Sequence, residues 1–390
     1  MALPLNRRDF LVGATATVGT LVLGCSINQI ASPTPAPTGT PGPTRPPATP
    51  TPTPAPSATP VALRRRAAGM LVCGFPGRAL TSNDPILKAI RAGLGGVILF
   101  ARNIESPQQV ASLTAKLRAA AGERPLLIAI DQEGGAVARL NTSNGFAKTP
   151  TAARVGLRDD PVYARRVGRA IGTMLSSAGI NLNLAPVVDL NVNPSNPSIG
   201  ALGRSFSADS DVVVAMAGEV IAAQRKRGLL TTLKHFPGLG SATGDTDHEF
   251  VDISATWSDA ELEPFRRLIA DGRADLVMVG NALNGQLDRR NPASLSAPTV
   301  RLLRDDLGWA GPIITDDLMA GALTDNYAPD DVLRLAINAG SDLLLLANSA
   351  APAVDVVQPA LDAIEQLVAR GKLTEAQIDG ALARIAGLSA

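Results

Sequence analysis

The chain holds two histidines, His235 and His248, and both fall within one stretch, Thr232–Phe250, reading TLKHFPGLGSATGDTDHEF. Lys234, Asp245 and Asp247 share it. Imidazole beside carboxylates suits proton transfer near neutral pH, where the ordinary histidine pKa lies. Two other chemistries are open to the same residues. Both histidines with Asp245 or Asp247 make a possible metal donor set, although the spacing matches no standard site. Lys234 could form a Schiff base. Further charged residues close apolar runs: Asp131 ends PLLIAID, Asp189 ends INLNLAPVVD, and Asp316 with Asp317 ends PIITDD. Lone charges at the ends of buried runs are costly unless they bind something.

The elements that must position these groups alternate in type. Apolar runs at 70–74, 96–100, 125–131, 180–190, 229–235, 275–279, 312–316 and 341–346 read as strands. Between and after them, helical spacing predicts helices over 85–93, 106–121, 160–178, 211–227, 259–270, 298–307, 332–339, 354–370 and 375–388, with Ser106 an N-cap. Continuous apolar strands alternating with helices imply a parallel sheet covered on both faces. Eight such units fit a single α/β domain, a (β/α)8 TIM-like barrel over 63–390. A doubly wound open sheet is the alternative, but no glycine-rich dinucleotide fingerprint follows the first strand.

The segment before residue 63 differs. Arg7-Arg8 followed by an apolar run resembles a Tat export signal, and Val22-Leu23-Gly24-Cys25 resembles a lipobox. Residues 1–25 are therefore expected to be a signal peptide with Cys25 the lipidated residue. Residues 26–62, rich in Pro and Thr, are expected to be a disordered linker holding the body off the membrane. The formal net charge is +1, with 36 basic and 35 acidic residues, and aromatics make up 3%. Neither a basic footprint nor a stacking platform for nucleic acid is present.

In a barrel, chemistry sits at the C-terminal ends of the strands. Carboxylates facing each other there, with an imidazole on a Gly-rich loop, suit glycoside hydrolysis, which needs a nucleophile or base and a proton donor. Asp316, on a rigid strand end, is the expected nucleophile and His248 the expected donor. Asp131, Arg139, Arg204 and Lys234 are expected to hold sugar hydroxyls. Asp317 is read as a helix N-cap and Cys73 as core.

Several motifs make a more specific resemblance: GGVILFARNI, AIDQEGGAVARL, GINLNLAPVVDLNVNP, GRSF, KHFPGLG, PASLS and IITDDLMAGAL. Together they resemble glycoside hydrolase family 3, in its single-domain β-N-acetylhexosaminidase branch. The resemblance implies a retaining exo-enzyme acting on β-linked N-acetylglucosaminides such as muropeptides, without metal or organic cofactor. It aligns Asp316 with the nucleophile, and Asp131, Arg139, Arg204, Lys234 and His235 with residues that bind the sugar. A membrane partner through the lipid anchor and a monomeric state are also expected. Three positions depart from the pattern. Ala136 replaces an Arg and Leu239 a His. Counting from KHFPG, Asp245 takes the place of the Asp in an Asp-X-His dyad, Asp247 the place of its His, and His248 falls one residue late. His248, Asp247 or a crippled site remain open. So do a β-glucosidase and a glycan-binding protein without turnover.

Overall fold

The computed structural model describes residues 62–349 and 355–388. The expected signal peptide, Cys25, and the linker up to residue 61 lie outside the described residues. Eight parallel strands form one sheet: β1 (Leu71–Gly74), β2 (Gly96–Leu99), β3 (Leu127–Ile130), β4 (Leu182–Asn183), β5 (Leu230–Phe236), β6 (Leu276–Val279), β7 (Ile313–Thr315) and β8 (Leu344–Leu346). Each pairs with its sequence neighbours, and β1 pairs with β8 through Leu71–Leu344 and Cys73–Leu346. A parallel bridge from Ile314 to Leu343 joins β7 to the entry of β8 and closes the ring. The expected barrel is therefore present.

Two apolar layers account for the near-continuous hydrophobic strands. Val72, Ile98, Ala129, Leu230, Met278, Ile314 and Leu345 point inward and fill the barrel. Their neighbours along each strand, such as Leu71, Val97, Ile128, Leu233, Val277 and Leu344, belong to the outer layer under the helices. A strand buried on both faces has no polar side to alternate with. Cys73 is a free, buried member of the outer layer, as expected.

Helix starts are chemically specified. Ser106 accepts a hydrogen bond from the Gln109 amide ahead of the helix Pro107–Ala121. Asp160 accepts one from the Val162 amide ahead of Pro161–Ser177, and Thr374 and Gln377 form a reciprocal capping pair at Glu375–Ala386. Two expected elements are shorter than their patterns. The run 180–190 pairs as a strand only over Leu182–Asn183. Pro186 has no amide to donate, and Asn183 turns its side chain to the Gln132 backbone and to Gln224. The helix over 298–307 is α-helical only over Ala297–Arg301 and continues as a π turn, Leu302–Asp306.

At the junction of β1 and β8 the backbones nearly touch. A Cβ built on Gly74 would lie 1.9 Å from the Ala347 carbonyl oxygen and 2.7 Å from Arg102 Nη2. That guanidinium donates to Ala347 O (2.8 Å) and Phe75 O (3.1 Å), tying the rim together. Gly74→Ala should therefore lower stability by at least ~1–3 kcal/mol, the usual cost of overpacking, read from chemical denaturation. An unchanged denaturation midpoint would mean that the ring does not close this tightly.

Candidate active site

The strand ends open on a cleft of about 520 Å³, within the range of small-molecule sites. Its floor is the top of the inner core, Ile98, Met278 and Leu345. Its two walls carry opposite charge.

The basic wall is built on the end of β5. Lys234 is 2% exposed. Its Nζ donates to Asp131 Oδ1 at 2.9 Å and pairs with Glu133 Oε1 at 2.7 Å. Asp131 follows β3, and Glu133 sits in a small hairpin, Gln132–Gly134 against Val137–Ala138. Arg204 grips Glu133 with both arms of its fork, Nε to Oε2 and Nη2 to Oε1, each at 2.8 Å. Its Nη1 donates to Ser198 O. Arg139 Nη2 stands 3.5 Å from Asp131 Oδ2, and its guanidinium lies over the Phe100 ring. Burial alone would raise both carboxyls. Arg204 and Lys234 outweigh it at Glu133, and Lys234 and Arg139 at Asp131, so both are held below the usual carboxylate range. Lys234 is correspondingly raised by the two carboxylates despite its burial.

His235 is anchored separately. Its Nδ1 lies 2.7 Å from Asp189 Oδ2, while Asp189 Oδ1 accepts from the amides of His235 and Leu239. A carboxylate can only accept, so Nδ1 carries the proton. Nε2 then faces Arg204 Nη2 at 3.5 Å as an acceptor. Asp189 is fully buried, so this pairing fixes the ring and the following turn together.

The acidic wall comprises Asp245, Asp247, Asp316 and Asp317. Asp316 follows β7, with its amide bonded to Val279 O and its Oδ1 accepting from the Asp317 amide. Asp317 does not cap a helix, because the next one spans Gly321–Thr324 with Ala320 at its N-cap. Its Oδ1 instead accepts from the amides of Met319 and Ala347, stitching the loop after β7 to the end of β8. Burial, then the charges of Asp316 and Asp247, push its carboxyl up to about 7, against the pull of those two amides. The loop carrying Asp245 and Asp247 is fastened to the same turn. The amides of Gly321 and Ala322 donate to Asp247 O and Thr246 O, at 3.0 and 3.2 Å. His248 lines the cleft mouth but is exposed, and its ring has no hydrogen-bond or ion-pair partner among the described residues. The structure thus brings together all the site residues expected within the barrel, but it does not pair the His248 imidazole with a carboxylate. Among the described residues, no group of three potential metal ligands forms.

Two further buried acids, one in the site and one beneath its loop, went unassigned in the sequence. Glu133 is one; its signal is the i, i+2 spacing from Asp131, which puts both on one face of extended chain. Glu261 is the other. It is fully buried under the loop after β5, where its Oε2 accepts from the amides of Gly240 and Ser241. Burial pushes its carboxyl up to about 7, although Ser241 and the loop amides pull it down. From the ordinary 4.5 up to 7, the folded chain retains a proton that the unfolded chain has released, so this group makes stability fall as pH rises. Glu261→Gln has no proton to lose. Thermal unfolding from pH 5 to 8 should fall less steeply in the variant, by about 1.4 kcal/mol per unit at most, with Asp317 contributing its slope to both proteins. Equal slopes would contradict the assignment.

Comparison with known proteins agrees with this architecture. Residues 81–388 match the family described as "Glycosyl hydrolase family 3 N terminal domain". Beta-hexosaminidase A of Pseudoalteromonas piscicida is 33% identical over 339 residues, covering 80% of this chain and 56% of that protein. A beta-hexosaminidase of Nitrosomonas eutropha is 34% identical, covering 72% of this chain and 81% of the other. The chain therefore spans little more than half of one relative and most of the other. Among solved structures, a glycoside hydrolase family 3 beta-N-acetylglucosaminidase from Paenibacillus superposes with a TM-score of 0.77 at 34% identity, covering 84% of this chain and 62% of that one. A beta-N-acetylhexosaminidase from Beutenbergia cavernae gives 0.76 at 34% identity, covering 83% and 97%. Barrel, cleft and matched length together place the chain in glycosyl hydrolase family 3.

Proposed function

We propose that this chain is a retaining exo-β-N-acetylhexosaminidase, removing terminal β-linked N-acetylglucosamine from peptidoglycan-derived or similar glycans. The observation that carries the reading is the polarised cleft. One wall offers Lys234, Arg204, Arg139 and Asp131 for sugar hydroxyls and the acetamido group, and the other offers carboxylates for the chemistry. The names of the relatives support the sugar. Asp316 attacks the anomeric carbon and forms a covalent glycosyl-enzyme, and a proton donor on the loop 245–248 assists departure of the aglycone. The reaction needs no group beyond these side chains and water.

Release of nitrophenol from a panel of nitrophenyl glycosides tests this. The β-N-acetylglucosaminide should be turned over fastest, and Asp316→Asn should lose at least ~10³-fold in kcat, as expected for removal of a nucleophile. Faster hydrolysis of the β-glucoside, or an Asp316→Asn variant as active as wild type, would overturn the reading.

We also propose that residues 1–25 direct export and that lipidated Cys25 anchors the chain to the membrane, on the strength of the paired arginines and the lipobox-like VLGC. Wild-type protein should partition with membranes and incorporate labelled fatty acid, and Cys25→Ala should do neither. Unlabelled wild-type protein would contradict the anchor.

A further inference from the structure

The resemblance to the family points to a histidine as proton donor, yet among the described residues the His248 ring has no hydrogen-bond or ion-pair partner to orient it. We propose that Asp247, not His248, is the general acid and base of this enzyme, working opposite Asp316. The proposal rests on the glycosidase reading above.

Position is the first argument. The backbone at Asp247 is held at three points: its amide donates to Asp245 Oδ1 (3.1 Å), its carbonyl accepts from Gly321 N (3.0 Å), and the preceding carbonyl, of Thr246, accepts from Ala322 N (3.2 Å). Gly321 and Ala322 open the short helix that follows the turn beginning at Asp316, so donor and nucleophile share one scaffold. The approach is close: a Cβ on Gly321 would lie 2.7 Å from His248 O and 3.2 Å from Asp247 O. A loop fastened in this way does not need to swing in to deliver a proton.

Electrostatics is the second argument. The groups acting on Asp247 are Asp316, Asp245 and Asp317 on the acidic side, with Arg204 and His235 across the cleft. Although the residue keeps contact with solvent at the mouth, loss of solvent around its carboxyl, then Asp316 and Asp245, raise its pKa, against the weaker pull of Arg204 and His235. A carboxyl whose pKa is raised by its surroundings, set beside a second carboxyl, is the kind of pairing a retaining glycosidase requires. His248 is exposed at the mouth as Asp247 is, but among the described residues its ring lacks a carboxylate partner that would set its tautomer.

The step balances as follows. The Asp247 carboxyl gives its proton to the glycosidic oxygen while the bond from that oxygen to the anomeric carbon breaks and an Asp316 oxygen bonds to the carbon. In the second half, the Asp247 carboxylate takes a proton from water as the water oxygen attacks the anomeric carbon and Asp316 departs as a carboxylate.

The test compares Asp247→Asn, Asp247→Ala and His248→Ala on aryl β-N-acetylglucosaminides with good and poor leaving groups, with and without azide. For the Asp247 variants, kcat/KM on the poor leaving group should fall ~10²–10⁴-fold while the good one is largely spared in the glycosylation step. Azide should restore turnover and yield a β-glycosyl azide, a product that a misfolded variant cannot form. His248→Ala should lose less than about fivefold on both substrates and gain nothing from azide. The reverse pattern, azide rescue in His248→Ala with the Asp247 variants close to wild type, would overturn the proposal. Similar losses on good and poor leaving groups without rescue in the Asp247 variants would also overturn it, while leaving the glycosidase reading intact. Wild-type protein inactive on every aryl glycoside would instead sink the glycosidase reading itself.

Discussion

Lys234 is a nearly inaccessible ammonium at the top of the barrel, and the rest of the site is arranged around it. A buried charge costs several kcal/mol unless partners surround it, and breaking such a pair costs about 3–5 kcal/mol. Asp131 and Glu133 both reach it, and Arg204 completes the set by holding Glu133 with two hydrogen bonds. The charges come from three places: Lys234 from the end of β5, its two carboxylates from the end of β3 and its hairpin, and Arg204 from the loop after Ser198. None of these can shift without stranding a charge. The wall against which a sugar would bind is thereby fixed before any substrate arrives, which is how positioning reduces the cost of binding.

The opposite wall obeys a different rule. Asp245, Asp247, Asp316 and Asp317 crowd one side of the cleft, where burial first and then the neighbouring carboxylates raise the carboxyls of Asp247 and Asp317. Backbone amides hold the carboxylates in place instead of cations. Asp317 is tied to Met319 and Ala347, Asp316 to the Asp317 amide, and Asp245 to the Asp247 amide. A basic wall for grip and an acidic wall of carboxyls divide binding from chemistry within one cleft.

Much of this was legible in the sequence, and the gaps have physical causes. The barrel could be read because its strands are apolar on both faces and its helices carry local caps, at Ser106 and Asp160 for example. Asp131, Arg204, Lys234, His235 and Asp316 could be placed because each closes an apolar run or lies in a compact motif. Glu133 was overlooked because the chain leaves the barrel at Ile130 and re-forms as a separate short hairpin, so its i, i+2 spacing from Asp131 was not read as one face of a strand. Glu261 looked like the start of a surface helix; its partners are amides twenty residues away, which leave no trace in composition. Asp317 looked like a cap because it follows a strand end, whereas the next helix begins only at Gly321. The clustering of both histidines in one stretch suggested a joint role; both line the cleft, but they are held differently. His235 is clamped by Asp189, and the His248 ring stays at the rim without a hydrogen-bond or ion-pair partner among the described residues.

The account stands or falls on Asp316 forming the bond to the sugar. A fluorinated N-acetylglucosaminyl fluoride that enters the covalent intermediate quickly and leaves it slowly would trap that bond, and peptide mapping by mass spectrometry would locate it. The account predicts a single adduct of one N-acetylglucosaminyl unit on the peptide carrying Asp316, absent from Asp316→Asn. An adduct on Asp247 or another carboxylate, or turnover with inversion and no adduct, would contradict it.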